Sequence, residues 1–320
     1  MALLLHAHQR AACLVAAAFG CATFGTFAQT ADILWRNTAT GQNVVWKAGN
    51  HLDTKPVADA ETAWHVIGTS VSSFNGLTSV IWRNRVDGRI VGWPSAESDA
   101  AFSLPTVPKQ SWTLAGMGYF DTATQLFDLL WRDSATGRNL LWRIGGSTTS
   151  YLRAVTNPDW KVVGVGDFDN DLYSDILWRN QATGANAIWL RANARTQQPT
   201  PTVTNIAWEV VGVGDFDGDS NDDILWREAK TGRNAIWNWG HAGAYAKALP
   251  TVSVLSWRVV GIADFDGDGK DGLLWRDAIS GRNVIWRSAN AALSIRLATV
   301  SNPAWIVAAV GDFKENPWDY

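Results

Sequence analysis

Residues 208–227 read WEVVGVGDFDGDSNDDILWR, and the same plan recurs along the chain. A Leu/Ile-Trp-Arg unit ends at Arg36, Arg83, Arg132, Arg179, Arg227 and Arg276, and successive units lie 47 to 49 residues apart. A second tryptophan stands 11 residues beyond the first in every copy, and a third precedes each acidic segment. These six copies use 18 of the 20 tryptophans, which indicates an internal repeat.

Each copy predicts four short strands. The first is typified by Trp208–Phe216, the second by Asp223–Arg227 and the third by Asn234–Trp237, while the fourth carries a Thr-Val or Ala-Val pair such as that at Val252. β-branched and aromatic runs between Gly and Asn/Asp turns favour strands over helices. Repeats of about 40–50 residues with four strands each are typical of propeller blades, so the sequence predicts an all-β propeller.

The two ends of the repeat region indicate how the propeller closes. The region begins with a second-strand segment, Asp32–Trp35, and finishes with a first-strand segment, Trp305–Phe313. Six copies of each strand exist only if these two segments pair within one blade, which would remove an open sheet edge. We therefore expect one domain over residues 29–320 with about six four-stranded blades closed by the terminal strands; seven blades are the alternative.

The first 28 residues have the features of a secretory signal peptide. Arg10 is their only Lys or Arg, an apolar run covers Ala11–Phe19, and Thr26-Phe27-Ala28 matches a small-x-Ala cleavage site. Cys13 and Cys21, the two cysteines, both lie here, so we expect an exported domain without disulfides, either secreted or periplasmic.

Composition limits the partners. No other stretch approaches the ~18–20 apolar residues that span a bilayer, so membrane insertion is not expected. The formal net charge is −3 and there is no basic tract, which argues against a nucleic-acid partner.

Acidic loops between the first and second strands are the strongest chemical signal. Oxygen ligands at positions 1, 3, 5 and 9, with a backbone carbonyl at position 7, can surround a hard cation such as Ca²⁺. The predicted ligands are Asp167, Asp169, Asp171, Tyr173 and Asp175; Asp215, Asp217, Asp219, Asn221 and Asp223; and Asp264, Asp266, Asp268 and Lys270, with Gly272 at position 9. We expect two full sites, one weaker site and three loops without metal. An Asp-rich turn that binds nothing is the alternative.

Residues 264–276, DFDGDGKDGLLWR, and their relatives over residues 32–313 resemble the FG-GAP or VCBS-type repeat. This repeat is known from integrin α-chain propellers and from many bacterial secreted proteins. The resemblance implies a calcium-stabilised propeller that binds proteins or glycans. Propellers of this family more often have seven blades, which keeps the seven-bladed alternative open.

The residues do not predict catalysis, and we identify no catalytic residue. The region after the first 28 residues has three histidines (His51, His65 and His241), no cysteine and no Gly-x-Ser-x-Gly motif, and the cation loops account for its paired carboxylates. A non-enzymatic binding module is therefore favoured, with a glycan or a cell-surface protein as the partner. A propeller-fold lyase or hydrolase remains a lesser alternative.

An arginine after the second strand and an asparagine opening the third recur near tryptophan. The pairs are Arg132 with Asn139, Arg179 with Asn186, Arg227 with Asn234, and Arg276 with Asn283. Guanidinium donors beside an indole face suit sugar recognition, so these eight residues are candidate glycan ligands. The alternative is structural: tryptophan between blades, arginine on carbonyls or carboxylates, and asparagine in the hairpin turn.

Overall fold

The computed structural model describes residues 30–71, 78–120, 127–144, 149–240 and 246–313, and all structural statements refer to these residues. They form 24 strands in six four-stranded antiparallel sheets, with helix limited to single 3₁₀ turns. The protein is therefore an all-β propeller, which confirms the predicted fold, and the described residues contain six blades and not the alternative seven. The predicted signal peptide, residues 1–28, lies outside the described residues.

The strands divide between two compact units. The first unit comprises the described residues up to Gln110 and from Arg258 onward, with blades 1, 2 and 6. Blade 1 contains β24 (Trp305–Gly311), β1 (Asp32–Asn37), β2 (Asn43–Trp46) and β3 (Thr54–Val57); blade 2 contains β4 (Trp64–Val71), β5 (Thr78–Asn84), β6 (Ile90–Pro94) and β7 (Phe102–Leu104); blade 6 contains β20 (Trp257–Ala263), β21 (Gly272–Asp277), β22 (Asn283–Trp286) and β23 (Ser294–Leu297). Its 3₁₀ turns are Lys47–Gly49, Arg287–Ala289 and Ala291–Leu293.

The second unit, Ser111–Trp257, holds blades 3, 4 and 5. Blade 3 contains β8 (Trp112–Gly118), β9 (Asp128–Asp133), β10 (Asn139–Arg143) and β11 (Thr149–Leu152); blade 4 contains β12 (Trp160–Gly166), β13 (Asp175–Asn180), β14 (Asn186–Trp189) and β15 (Gln197–Gln198); blade 5 contains β16 (Trp208–Gly214), β17 (Asp223–Glu228), β18 (Asn234–Trp237) and β19 (Ala246–Leu249). Its 3₁₀ turns are Leu190–Ala192 and Asn238–Gly240.

Blade 1 is closed by the two ends of the repeat region. β1 pairs with β2 on one side and with β24 on the other, with Asp32 opposite Gly311. The Phe313 N–H donates to Oδ2 of Asp32 at 3.1 Å, as the Phe168 N–H donates to Asp175 in blade 4. The predicted closure is confirmed, and the terminal strands leave no unpaired edge between them.

Buried tryptophans form much of the core of every blade. The second-strand residues Trp35, Trp82, Trp131, Trp178, Trp226 and Trp275 are at most 2% exposed. Each lies beside the third-strand tryptophan of its own blade, with ring centroids 4.8 to 6.3 Å apart. In the second unit, Trp178 of blade 4 shares one cluster with Leu130 and Leu141 of blade 3. Both faces of the second strand are therefore covered, which explains its continuous apolar run.

The first strands approach each other so closely that they require glycine. A Cβ built on Gly164 of blade 4 would lie 2.4 Å from Cγ2 of Val213 in blade 5, and one on Gly116 would lie 2.3 Å from Val165. β12 also has a register shift between Val162 and Gly164, which bends it relative to β13.

Among the described residues, no helix has the length and apolar character needed to cross a membrane.

Gly164→Ala is expected to destabilise the protein by about 1–3 kcal/mol, because the new methyl group overlaps the buried Val213 side chain. Chemical unfolding of Gly164→Ala, Val213→Ala and the double variant measures the coupling. The double variant should lose less than the sum of the single variants, since shortening Val213 makes room. Additive losses would contradict this contact.

Candidate metal centres and the buried arginines

Three acidic loops bring carboxylates together, one in each of blades 4, 5 and 6. The clusters are Asp167, Asp169 and Asp175; Asp215, Asp217 and Asp223; and Asp264, Asp266 and Asp268. Within each cluster one oxygen of every member lies within 4.8 Å of the others. The structure thus joins positions 1, 3 and 9 in blades 4 and 5, and positions 1, 3 and 5 in blade 6.

The first aspartate organises each loop through backbone N–H groups. Asp167 accepts from Leu172 at 2.9 Å, Asp215 from Ser220 at 2.8 Å, and Asp264 from Gly269 at 2.9 Å. The residue at position 7 then donates its N–H to the position-5 carboxylate, from Tyr173, Asn221 and Lys270 respectively. The three loops therefore share one backbone arrangement although their sequences differ.

Position 5 differs from the predicted ligand set in two loops. Oδ2 of Asp171 lies 2.5 Å from Nε of Arg191, an ion pair that holds this carboxylate outside its cluster. Oδ2 of Asp219 accepts a hydrogen bond from the indole of Trp239. Asp268 remains in its cluster, where its Oδ2 accepts from Ser288 at 2.6 Å. A 3₁₀-turn residue at the same place in each blade thus contacts position 5.

Position 9 also has a structural role. Asp175 accepts from the N–H groups of Phe168 and Arg191 at 2.9 and 2.8 Å. Asp32 in blade 1 accepts from Phe313 and Ala48 at 3.1 and 2.7 Å, although residue 314, its position-3 equivalent, is a lysine. The aspartate therefore joins the loop to the 3₁₀ turn whether or not the other carboxylates are present.

Burial and mutual repulsion raise the pKa values of these carboxyl groups. Burial raises the pKa of Asp167 to about 6, of Asp175 to about 8 and of Asp223 to about 9. Burial and then the neighbouring Asp268 and Asp264 raise the pKa of Asp266. A cation placed among them would favour the ionised forms and reverse these shifts.

The donor set fits a hard divalent cation. All the side-chain ligands are carboxylate oxygens, which suit Ca²⁺ and not the nitrogen- or sulfur-preferring metals. Oδ1 of Asp266 is buried and has no hydrogen-bond partner among the described residues, so one carboxylate oxygen of the blade 6 cluster is left for a ligand. The loop of blade 3 at residues 121–126 and that of blade 2 at 72–77 lie outside the described residues.

The recurring arginines are buried and bound to the backbone. They are 3 to 8% exposed in all six blades. Arg179 illustrates the pattern: Nη1 donates to the Gly184 carbonyl at 3.1 Å and to Oδ1 of Asn186 at 3.0 Å, while Nη2 donates to the Trp208 carbonyl of blade 5 at 2.8 Å. Its guanidinium lies 4.9 Å from the ring centroid of Trp226. One side chain therefore joins a turn, a third strand and the next blade.

The other candidate glycan ligands follow this pattern. Arg132, Arg227 and Arg276 each donate to the asparagine of their own blade, at 2.9 to 3.0 Å. Asn139, Asn234 and Asn283 are at most 3% exposed, and Asn186 is half-buried; each donates to a carbonyl beyond the third strand. Side chains so buried and so fully used offer little to a sugar. This geometry favours the structural alternative for these eight residues.

Two kinds of residue were missed by sequence reasoning. Three side chains at the start of second strands accept an N–H from the preceding blade at 2.8 to 3.1 Å: Oγ1 of Thr78, Oγ of Ser174 and Oδ2 of Asp222. A cleft of about 600 Å³ at blades 3 and 4 is lined by four arginines: Arg143, Arg153, Arg191 and Arg195. The sequence could have indicated both kinds of residue only through their differences from the other repeats, because the residues shared by all repeats predict the packing of the blades.

Leu172→Gly is expected to stabilise the protein by about 1 kcal/mol, because Leu172 has φ of +72°, a conformation that costs a non-glycine residue roughly that much. Gly269 occupies the same position in blade 6 with φ of +83°, and no atom lies within 4 Å of a Cβ built there. Gly269→Leu should therefore lose a similar amount without a clash. Thermal unfolding in EDTA measures the change in stability of both variants. If both variants were stabilised, or both destabilised, the backbone strain assigned to this position would be wrong.

Arg179→Lys is expected to destabilise the protein by about 2–4 kcal/mol, because an ammonium cannot replace the fork that reaches Gly184, Asn186 and Trp208 together. Arg138→Lys, at an exposed hairpin tip, is the matched control and should change stability by less than about 0.5 kcal/mol. Denaturant unfolding compares them; a fully stable Arg179→Lys protein would show that the buried contacts are dispensable.

No family model matches the sequence, and no curated protein matches it. Among solved structures, the fold is similar to that of an Agrocybe aegerita lectin solved for its specific recognition of non-reducing terminal N-acetylglucosamine. The TM-score is 0.54 and the identity 12%, over 88% of this chain and 84% of the lectin chain.

Two further structures are more distant. A chain of the mitotic checkpoint complex has TM-score 0.45 and 15% identity over 87% of this chain and 81% of its own. Prolyl oligopeptidase B from Galerina marginata has TM-score 0.39 and 12% identity over 78% of this chain and 35% of its own. At such identities the comparison with the lectin shows a shared β-propeller fold and nothing more specific.

Proposed function

We propose that this chain is an exported, non-enzymatic calcium-binding propeller of the FG-GAP/VCBS type that acts as a glycan-binding module. The observation that carries the calcium part is a cluster of three carboxylates in the equivalent loop of three consecutive blades. Three carboxylates whose oxygens lie within 4.8 Å of one another repel, so they suit a fold completed by a cation.

Calcium would be held by Asp167, Asp169 and Asp175 and by their counterparts in blades 5 and 6, and it would supply positive charge that cross-links the loop. The chain's own residues do the rest: Asp175 and Asp223 fix the loop to the 3₁₀ turn, and the backbone N–H groups orient the first aspartate. Extracellular calcium sites typically have Kd values of about 10⁻⁴–10⁻³ M, which agrees with the expected export.

A glycan is the proposed ligand class. The Agrocybe aegerita lectin, which recognises terminal N-acetylglucosamine, has this fold, and propellers can present several weak sites on one rigid body. An adhesion propeller that binds a cell-surface protein is the second candidate. The groups of three carboxylates found among the described residues lie in the loops, where they are assigned to calcium and not to catalysis, so an enzyme is the less favoured candidate.

Calcium should stabilise the protein more at about pH 9 than at about pH 6. In the calcium-free fold, the contributions of Asp167, Asp175 and Asp223 are complete below about pH 4. They are lost as the pH rises through about 6, 8 and 9, because the unfolded chain ionises these groups freely. Calcium binds the ionised forms, so its stabilising effect should grow across this window, with protons released on binding.

Calorimetric unfolding in EDTA and in millimolar calcium, at both pH values, measures this difference. The variant Asp169→Asn/Asp217→Asn/Asp266→Asn keeps the size of the position-3 side chains but removes one charge from each cluster. It should respond to calcium far less than the unaltered protein. An unaltered protein with identical transitions in EDTA and calcium would overturn the calcium proposal.

The protein should bind immobilised glycans in calcium without releasing soluble sugar. A glycan array measures binding, and mass spectrometry of the supernatant detects hydrolysis or elimination products. Binding that disappears in EDTA and returns with calcium would link the loops to the ligand surface. No signal on the array would favour the protein-binding candidate, and product release would favour the enzyme.

A further inference from the structure

A basic cleft lies between blades 3 and 4, both of which belong to the second unit. Its volume is about 600 Å³ and its floor includes the buried residues Phe120, Leu141 and Ala192. Arg143 and Arg153 of blade 3 and Arg191 and Arg195 after the third strand of blade 4 line its wall. Among the described residues, no acidic side chain belongs to the lining, so the cleft has an excess of positive charge.

Two of the arginines are fixed and two are open. Nη1 of Arg143 donates to Oγ of Ser150 at 2.6 Å, and Arg191 is paired with Asp171 and lies 4.1 Å from the ring centroid of Tyr173. Arg153 and Arg195 are exposed, and neither forms an ion pair with another described residue. Their guanidinium groups are therefore available to a ligand.

At Arg153 and Arg195 the backbone makes hydrogen bonds that stabilise the fold, whereas the charged side chains are not needed for them. The third-strand asparagine donates to the carbonyl of Arg153 in blade 3, of Pro201 in blade 4 and of Pro250 in blade 5, and to those of Ala58 and Ala298 in blades 1 and 6. Arginine thus stands where the equivalent blades have proline or alanine.

Arg195 is equally dispensable for the backbone. Its N–H donates to Oδ1 of Asn193 at 3.0 Å, as Leu52 donates to Asn50 in blade 1 and Ala292 to Asn290 in blade 6. Leucine or alanine therefore satisfies this turn. Two independent departures from the repeat place an arginine from each of blades 3 and 4 in the lining of a single cleft, which indicates a ligand and not a packing requirement.

An exposed aromatic ring completes the cleft. Tyr151 is 72% exposed, and the residues at the same register position in blades 1, 2, 5 and 6 are Pro56, Ser103, Ala248 and Arg296. An aromatic face stacks on a pyranose ring, and a guanidinium fork matches a carboxylate. Together they suit a sugar that carries an acid group.

We propose that this cleft binds an acidic oligosaccharide of carboxylate-bearing pyranoses, with Arg153 and Arg195 contacting carboxylates and Tyr151 contacting a ring face. This inference rests on the proposed glycan-binding function and names the class of glycan. Since the charged groups are exposed, the affinity should fall as the salt concentration rises.

Titration calorimetry with tetragalacturonate, in calcium and with a protein-free titration subtracted, tests the cleft. Arg153→Ala/Arg195→Ala should reduce the affinity at least about tenfold, and Tyr151→Ala should also reduce it. Arg138→Ala/Lys161→Ala removes the same charge from exposed residues of blades 3 and 4 outside the cleft lining, and should leave the affinity unchanged. Melting temperatures of all variants should equal that of the unaltered protein, because none of these side chains is buried.

Two further probes separate the alternatives. A neutral tetrasaccharide of glucose should bind at least about tenfold more weakly than tetragalacturonate. Equal binding of the two, or an unchanged affinity in Arg153→Ala/Arg195→Ala, would overturn the acidic cleft while leaving the glycan-binding proposal intact. Polyglutamate that competes with the same arginine dependence would identify an acidic peptide site and overturn the saccharide. Absence of any glycan on the array would remove the glycan-binding function itself.

Discussion

The structure depends on a guanidinium held by backbone carbonyls at the end of each second strand. A cation almost without solvent contact is costly unless its donors are paired. In blades 1, 3, 4, 5 and 6 the turn glycine, the third-strand asparagine and a carbonyl beyond the fourth strand accept from the arginine, whereas blade 2 has Ile90 in place of the asparagine. Burial lowers the pKa of Arg179, yet arginine remains charged. Where two neighbouring blades belong to the same unit, the guanidinium carbon of this arginine lies 4.9 to 5.0 Å from the ring centroid of the next blade's second-strand tryptophan. One side chain thus fixes the hairpin, the outer edge and the blade-to-blade contact.

The acidic loops are built on this frame with two roles combined. Position 9 receives two backbone N–H groups in blades 1, 4 and 5, so it anchors the loop independently of the other carboxylates. Position 1 likewise accepts backbone N–H groups in blades 4, 5 and 6, whereas position 3 varies and is a lysine in blade 1. Gly272 in blade 6 lies where a Cβ would be 2.8 Å from the Trp286 carbonyl, so an aspartate could not be restored there without a shift. Three loops of one backbone plan therefore differ in their carboxylate sets.

A repeat also separates scaffold from ligand surface. The recurring residues, such as Arg132 and Asn139, use their side chains in hydrogen bonds that stabilise the fold. Arg153 and Arg195, by contrast, stand at positions where other blades have uncharged residues that make the same backbone hydrogen bonds. The recurring pattern had suggested a sugar site because arginine, asparagine and tryptophan are suitable groups. Their burial removes that role, and the exceptions to the pattern are better placed to bind.

The sequence by itself determined the propeller fold, a count of about six blades, the closure of β24 on β1 and the loops that carry the carboxylates, because a period of 47 to 49 residues with tryptophan at fixed offsets permits few other arrangements. It could not decide whether Arg179 binds a ligand or the backbone, since both roles require the same donors and only the position of the next blade exposes or buries them. Nor could it show that Asp171 pairs with Arg191, or that Arg153 and Arg195 share a cleft. The first contact joins residues 20 positions apart through the folding of blade 4, and the second depends on how blades 3 and 4 pack.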